Sequence, residues 1–317
     1  MSLRPATRPL PPAAPSGSAP GSPTTHPADR PLRALGFMLL AAGAFALMNT
    51  LARGLRAIPW PVLAFARGAL GFVVALFVAR WRGASLGVRD RRLMWRRSLF
   101  GSTGMVCTFF ALTHMPLSDA TALLNTTPLW IALLAWWTLG ERPTRAVVAA
   151  LAVAVAGVAM IERPSFAAGQ WVGLVALGAG AAGAVAMVSL RRLSGETPEA
   201  VVVHFSAVAS GVMAALSTVW LWQHGWPAGL RASMLVGVLA MGAAATVGQL
   251  AMTRAYALDQ AARVGAVGWM QVVFALGLDA VVFARVPEAH ARWGITLLLG
   301  AGTLLVWDAR RAQPRAA

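Results

Sequence analysis

The sequence predicts an all-α membrane protein of ten transmembrane helices, arranged as two inverted five-helix repeats. Three observations support this fold class. Of the 317 residues, 58% are hydrophobic and 12% are charged, whereas charged residues make up about a quarter of soluble domains. The apolar residues form continuous runs close to the length of about 20 residues that a membrane-spanning helix needs, and they do not alternate as barrel strands do. A pattern in the first half of the chain also recurs in the second half.

The ten predicted spans follow one another with short connections. The first apolar run extends from Leu35 to Ala52, beyond the apolar core of about 7 to 15 residues in a signal peptide, so we expect that it is not cleaved. Residues 1–32 are rich in Pro, Ser, Ala and Arg without an apolar period, and we expect a disordered cytoplasmic tail there. A second cytoplasmic tail is expected at residues 310–317. The spans are predicted at residues 34–53, 59–79, 97–115, 118–139, 145–162, 171–190, 198–222, 232–253, 260–284 and 291–308.

The arginines predict the orientation of the chain in the membrane. With the N-terminus on the cytoplasmic side, nineteen arginines, Arg97 among them, fall in inner segments and six fall in outer loops. Cytoplasmic segments of membrane proteins carry an excess of basic residues, so both termini are predicted to be cytoplasmic. The formal net charge of +16 is explained by this topology, and nucleic acid is not an expected partner.

An internal repeat relates spans four and five to spans nine and ten. The segment NTTPLWIALLAWWTLGERP, from Asn125, aligns with WMQVVFALGLDAVVFARVP, from Trp269, after a shift of 144 residues. The shift places Pro143 on Pro287. Because each copy has five helices, an odd number, the second copy enters the membrane from the opposite side. Inverted repeats that move about a site near the bilayer midplane are typical of secondary transporters.

Three motifs stand at characteristic places along the spans. They are LGERP at residues 139–143, Arg67 early in span two, and RAYALDQAARVGAVGWMQVVFA at residues 254–275. With these motifs the chain resembles the EamA-type branch of the drug/metabolite transporter superfamily over residues 34–308. The second copy departs from the family pattern, because Arg285 stands where members commonly have Glu.

The resemblance implies two EamA-like repeats around a central cavity, at residues 33–163 and 170–309. It further implies that the cavity carries small organic solutes such as amino acids, metabolites or drugs. Many members of this branch are exporters, and the branch is functionally broad. The resemblance therefore implies a class of activity and does not name the solute.

Arg67 is the charge that most needs an explanation. It lies about eight residues into span two, roughly 10 to 12 Å along the helix, which is too deep for its side chain to reach water easily. A charge at such depth usually faces a partner, the bundle interior or a wet cavity. Two interpretations stay open: a cavity cation that pairs with a substrate carboxylate or a protein acid, or a structural arginine bound by carbonyl groups at helix ends.

Other polar and aromatic side chains inside the spans are candidates for the cavity wall. Each is costly if it faces lipid without a partner, yet each could equally form a hydrogen bond between helices. Pro128, preceded by two threonines, loosens the hydrogen bonds of span four and is a candidate hinge. Besides Arg67, the predicted cavity residues are Asn49, Asn125, Trp130, His204, Gln249, Trp269 and Gln271.

The candidates for carrying a coupling proton are Asp279, Glu141 and His204. An ionisable side chain inside a membrane span is a functional candidate by default. The alternative for Asp279 is a position near the outer boundary or an ion pair with an arginine such as Arg67 or Arg285, and the alternative for Glu141 is an ion pair with Arg142. For His204 the alternative is a hydrogen-bonded packing role.

The sequence gives no support for an enzyme. An intramembrane hydrolase or transferase needs a clustered nucleophile and base or a set of metal ligands. The five histidines are scattered, and the chain lacks HExxH, GxSxG and the P-loop motif, so no cofactor or metal is expected. The sequence predicts a secondary transporter that exports small organic solutes across the bacterial inner membrane by alternating access of its two halves. Its expected partners are the lipid bilayer, a small organic solute and a coupling proton. A membrane-embedded enzyme and a non-transporting scaffold are the alternatives.

Overall fold

The computed structural model describes residues 30–115, 117–164, 170–226, 231–284 and 287–312. These residues form helices and no strand. The predicted tails therefore lie largely outside the described residues, as does Arg285. The helices are α1 (Pro31–Gly54), α2 (Trp60–Trp81), α3 (Arg91–His114), α4 (Leu117–Leu124), α5 (Thr127–Leu139), α6 (Arg145–Glu162), α7 (Gln170–Arg192), α8 (Pro198–His224), α9 (Ala232–Leu258), α10 (Ala261–Val267), α11 (Met270–Phe283) and α12 (Ala289–Ala312).

Ten spans account for these helices, with α4 and α5 forming span four and α10 and α11 forming span nine. Over the described residues, nine of the spans are long and apolar enough to cross a membrane. The tenth is α3, whose 24 residues have the length and whose first two turns are rich in arginine. Large apolar side chains are exposed on these helices, for example Phe77, Leu174 and Val281, as contact with lipid allows.

Spans four and nine are both broken near their middle. The first break separates Leu124 from Thr127, and the second separates Val267 from Met270. The sequence predicted a loosened helix at Pro128, whereas the break in span nine was not predicted. The shift of the internal repeat brings the two breaks to corresponding positions.

The break in span four follows from local hydrogen bonding. The hydroxyl of Thr126 donates to the carbonyl of Leu123, and the hydroxyl of Thr127 donates to the carbonyl of Leu124, both at 2.6 Å. Pro128 has no backbone N–H to donate. Side chains therefore satisfy carbonyl groups that a continuous helix would use in its backbone ladder.

The helices pack in pairs that obey the repeat. α2 packs against α8 and α6 against α12, which are the second and fifth spans of the two halves. α1 packs against α9 and α3 against α7, and these two pairs exchange places when the halves are exchanged. Each half meets the other through the same surfaces, as an inverted two-fold repeat requires.

Small residues allow these close contacts. A Cβ added at Gly104 of α3 would lie 3.3 Å from backbone atoms of Ala179 and Gly183 on α7. A Cβ at Gly157 of α6 would lie 2.9 Å from the carbonyl oxygen of Gly294 on α12. Helices in membranes associate mainly through such packing, since lipid offers no hydrophobic driving force between them.

The two ends of the bundle differ. One end, called the termini end here, holds the beginning of α1 and the end of α12. The backbone N–H of Arg30 donates to the carbonyl of Leu258 at 2.8 Å, so the beginning of α1 meets the end of α9 there. The largest buried apolar cluster includes Leu35 of α1, Tyr256 of α9 and Leu305 of α12. The main core therefore lies toward the termini end.

The LGERP segment joins α5 to α6 at the termini end. Gly140 ends α5 with a φ of +68°, a left-handed conformation that glycine adopts without steric cost. The side chain of Thr144 accepts a hydrogen bond from the N–H of Val147 at 3.2 Å and so caps α6. The turn between these two caps directs Glu141 into the bundle, where it is buried.

Candidate functional site

A cavity of about 360 Å³ lies between the two halves, within the size range of small-molecule sites. The first half supplies residues of α1, α2, α3 and the broken span four. The second half supplies residues of α7, α8, α9 and α11. The lining residues are Phe45, Met48, Arg67, Arg97, Gly101, Gly104, Met105, Thr108, Leu124, Thr127, Ala179, Gly183, Met187, Phe205, Gln249, Met252 and Gln271.

Arg67 lines this cavity, where the sequence predicted a cavity cation. Its Nη1 lies 3.4 Å from the Sδ of Met105 on α3, which is a weak acceptor. The lining residues include no Asp or Glu. The guanidinium therefore reaches the cavity without an acidic partner in its wall.

Arg97 is a second cavity cation. It is 1% exposed, and its Nε and Nη1 have no hydrogen-bond partner among the described residues. Its guanidinium carbon lies 4.1 Å from the centroid of the Phe205 ring, and this cation–π contact leaves those N–H groups unbonded. Gly101 provides the space, because a Cβ there would collide with the Nη1 of Arg97.

The sequence analysis placed Arg97 among the cytoplasmic arginines, and this was wrong. α3 begins at Arg91 and not at residue 97, because the Asp90 side chain accepts a hydrogen bond from the N–H of Leu93 at 2.9 Å and caps the helix. Arg97 then lies about 9 Å along the helix. The aspartate before the first turn was the signal that could have moved the start of span three. The remaining inner arginines still outnumber the outer ones.

Two of the predicted amides also line the cavity. Gln249 of α9 is 6% exposed, and Gln271 lies in the first turn of α11. Thr108 of α3 adds a hydroxyl to the wall. The cavity thus offers two cations, two amides and hydroxyl groups, an arrangement suited to a molecule rich in anionic and carbonyl oxygens.

His204 and Asn49 lie away from this wall. The Nδ1 of His204 is 2.8 Å from the Oγ of Ser98, and the His204 ring meets the Trp95 ring edge to face at 4.9 Å. His204 lines a separate pocket with Arg91, while Asn49 is exposed. The structure brings neither side chain into the central cavity.

The remaining candidates meet at the two helix breaks. The Nε1 of Trp269 donates to the backbone carbonyl of Asn125 at 2.9 Å, and these two residues correspond under the repeat. Trp130, in the first turn of α5, has a buried Nε1 without a hydrogen-bond partner among the described residues. Pro128 is buried beside it. These residues lie at a junction of the halves next to Leu124 and Thr127, which line the cavity.

Glu141 is held by the second half of the chain. Its Oε1 accepts a hydrogen bond from the Nε of Arg191 at 2.7 Å, and its Oε2 accepts one from the N–H of Ala261 at 2.9 Å. The sequence analysis gave an ion pair with Arg142 as the alternative to proton coupling, and that partner was wrong because the turn at Gly140 directs the carboxylate inward. Glu141 therefore joins the two halves at the termini end.

Asp279 pairs with Arg53 of α1, with 2.5 Å between the Nη1 and the Oδ2. This pair lies at the opposite end from the chain termini and is partly exposed, with 35% of the Arg53 side chain accessible. Over the part of the chain that the structure describes, no group of three or more His, Cys, Asp or Glu side chains could hold a metal ion.

Arg263 forms a buried ion cluster at the termini end. Its Nη1 donates to both carboxylate oxygens of Asp259, at 2.6 and 2.8 Å, and its Nε donates to Asp308 at 2.9 Å. The other Asp308 oxygen accepts a hydrogen bond from the hydroxyl of Thr144 at 2.8 Å. This arginine is 3% exposed and fully engaged with the fold, unlike the two arginines of the cavity.

Known proteins are similar to this chain in sequence and in fold. The pattern of the EamA-like transporter family matches residues 32–163. The pseudopaline exporter CntI of Pseudomonas aeruginosa (strain UCBPP-PA14) is 32% identical over 272 residues, which are 84% of this chain and 91% of the exporter. Solute carrier family 35 member G1 of Mus musculus is 26% identical over 220 residues, 64% of this chain and 58% of that carrier.

A solved crystal structure of another protein has the same fold. It superposes with a TM-score of 0.72 at 21% sequence identity, over 88% of this chain and 99% of its own. The family pattern covers the first five-helix half, and the match to the bacterial exporter extends through most of both halves. The chain belongs to the EamA-like transporter family, within the drug/metabolite transporter superfamily, and is a membrane transport protein, not an enzyme.

Proposed function

We propose that this protein exports small organic solutes across the bacterial inner membrane by alternating access of its two five-helix halves. The observation that carries the proposal is the cavity between the halves, whose wall is drawn from both. A site at the interface of inverted repeats can change its access from one side to the other while its lining is largely retained. The relative CntI is named an exporter of pseudopaline, which supports export as the direction.

The termini end is proposed to face the cytoplasm, as the arginine bias predicts. Contacts that join the halves at this end include the buried pair of Glu141 with Arg191 and the hydrogen bond from Thr144 to Asp308. The pair of Arg53 with Asp279 at the opposite end is more exposed. These contacts support an outward-facing conformation, so opening toward the cytoplasm would require Glu141 and Arg191 to separate.

The two broken spans are the proposed hinges, with Pro128 as the first candidate. A broken helix bends at less cost than a continuous one, and at the break in span four the hydroxyl groups of Thr126 and Thr127 already satisfy two carbonyl groups. Proton coupling also stays a proposal, with Asp279, Glu141 and His204 as its candidates. Solute flux that a protonophore leaves unchanged would contradict it.

The test of transport is solute release from proteoliposomes. Vesicles that contain the purified full-length protein are loaded with pseudopaline, amino acids, organic anions, nucleosides and cationic drugs, and the release of each solute is followed by mass spectrometry. We expect at least one solute class to leave faster than from protein-free vesicles. Release of the whole panel at the protein-free rate would contradict the proposal. Equal release by wild type and by Arg67→Ala, at matched protein content, would retain transport and remove Arg67 from the mechanism.

A further inference from the structure

We propose that the central cavity selects solutes that carry two separate anionic groups, one bound by Arg67 and one by Arg97. This inference rests on the proposed function, since it takes the cavity as the site of the transported solute. It adds the chemical class of that solute, which neither the fold nor the relatives define.

The first step is the charge of the cavity wall. Arg67 and Arg97 both line the cavity, and no Asp or Glu stands among the lining residues. Two cations that share a cavity of low polarity repel each other and lack the compensation that buried charges need. A solute with two negative charges neutralises the loaded cavity, whereas a solute with one leaves a net positive charge.

The second step is that Arg97 has unused donors. The Nε and Nη1 atoms are buried and have no hydrogen-bond partner among the described residues. By contrast, the buried Arg191 and Arg263 both donate to carboxylates. A guanidinium presents its N–H groups in a planar fork that matches a carboxylate. The Phe205 ring centroid lies 4.1 Å from the guanidinium carbon of Arg97, and a cation–π contact of this kind does not use the N–H groups.

The third step is the spacing of the two guanidinium groups. The Nη1 of Arg97 lies over Gly101, where a Cβ would collide with it. The Nη1 of Arg67 lies beside the Sδ of Met105. Gly101 and Met105 are four residues apart on α3, so they share a face and are separated by about 6 Å along the helix axis. The two anionic groups of the solute are therefore expected to be separated by a short linker and not to share one atom.

The experiment measures thermal unfolding of the purified full-length protein in the presence of dianions of increasing length. The probes are succinate, glutarate, adipate and pimelate, the half-amide of each, and sulfate as a compact dianion, all at constant ionic strength. A ligand that binds the folded state raises its melting temperature by mass action. We expect one dicarboxylate length to bind best, and its half-amide to bind more than about tenfold weaker, because a hydrogen-bonded charge is lost.

The arginine variants assign each end of the ligand. In Arg67→Gln and Arg97→Gln, the affinity for the best dicarboxylate is expected to fall to the level of the half-amide, and the discrimination between the two is expected to disappear. Dicarboxylates that bind no better than their half-amides, or no better than sulfate, would overturn the inference. The wild-type series gives this answer even if a variant fails to fold.

Flux from proteoliposomes separates this inference from the proposed function. Transport of a cationic or neutral solute, with no stabilisation by any dicarboxylate, would overturn the inference and leave the proposed function intact. Length-dependent binding of dicarboxylates, with no solute moving faster than in protein-free vesicles, would support the inference and contradict transport.

Discussion

Two sets of arginines inside one helical bundle lie in opposite surroundings. At the termini end, Arg191 and Arg263 donate to carboxylates at 2.6 to 2.9 Å. In the cavity, Arg67 has the Sδ of Met105 as its contact, and Arg97 has the Phe205 ring. The residue type is the same, and Arg97 is at least as buried as Arg263. What differs is the presence of an acid.

The difference separates structural charges from charges that are available to a ligand. Burying a charge costs several kcal/mol unless partners compensate it. At the termini end the fold provides that compensation through Asp259, Asp308 and Glu141. The cavity wall has no Asp or Glu, and a carboxylate there would compete with the anionic solute that we propose. The pairing of a buried arginine, and not its burial, therefore indicates its role.

The largest expected effect comes from breaking the best-paired arginine. Arg263→Ala leaves Asp259 and Asp308 buried without their cation, so we expect the free energy of unfolding to fall by about 3–5 kcal/mol. Thermal unfolding in detergent and abundance in the membrane measure this loss. Arg92→Ala is the matched control, because Arg92 is exposed in the first turn of α3. If the two variants proved equally stable, the ion cluster would contribute nothing to the stability of the fold, and its arginine would not be a structural charge.

The substitution Arg97→Met tests the arginines of the cavity, which have no acidic partner in its wall. Arg97→Met keeps the length of the side chain and removes donors that lack partners, so we expect the free energy of unfolding to stay constant or to rise by about 1–3 kcal/mol. Transport of the physiological solute is expected to fall about tenfold or more, because a charged hydrogen bond to the solute is lost. Both quantities are measured on one preparation. A stability loss as large as that of Arg263→Ala would show that Arg97 is structural.

The spans and the repeat were predictable because lipid constrains composition. Every spanning helix must be apolar over about 20 residues, and a charge inside such a run, as at Arg67, is conspicuous. Arg97 was not predicted, because it ends the basic stretch RDRRLMWRR, which resembles a loop until the cap at Asp90 is considered. Charge density alone does not indicate where a helix begins.

Contacts between distant parts of the chain could not be predicted from the sequence. Glu141 finds Arg191 because a left-handed turn at Gly140 directs it inward, and the adjacent Arg142 was the simpler choice. The break in span nine was missed because its residues, around Gly268, carry no proline. His204 and Asn49 were chosen for polarity at a plausible depth, yet depth does not determine which face of a helix a residue occupies.

The substitution Gly101→Ala is expected to displace the Arg97 side chain without changing that residue. In Gly101→Ala the new methyl group collides with the Nη1 of Arg97 and crowds the Phe205 ring, so we expect a loss of about 1–3 kcal/mol in stability together with reduced transport. Gly36→Ala is the control, since its Cβ would meet nothing within 4 Å and alanine favours a helix by up to about 1 kcal/mol. The double variant Gly101→Ala/Arg97→Met should recover part of the stability, because the clash with the Nη1 atom is removed while the contact with the Phe205 ring remains. Simple addition of the two single effects would contradict this account.

The smallest expected effect concerns two uncharged donors, the indole N–H groups of Trp269 and Trp130. The Nε1 of Trp269 donates to the carbonyl of Asn125, whereas the Nε1 of Trp130 is buried without a partner among the described residues. Trp269→Phe and Trp130→Phe remove the same atoms, so the difference between them isolates one hydrogen bond, and Trp269→Phe should be less stable by about 1 kcal/mol. Thermal unfolding measures the difference, and equal stability would mean that the bond contributes nothing. Because Asn125 and Trp269 belong to opposite halves and lie at the two helix breaks, solute flux gives a second comparison. If Trp269→Phe lost flux while it remained as stable as Trp130→Phe, the hydrogen bond would contribute to the movement of the halves and not to the stability of the folded state.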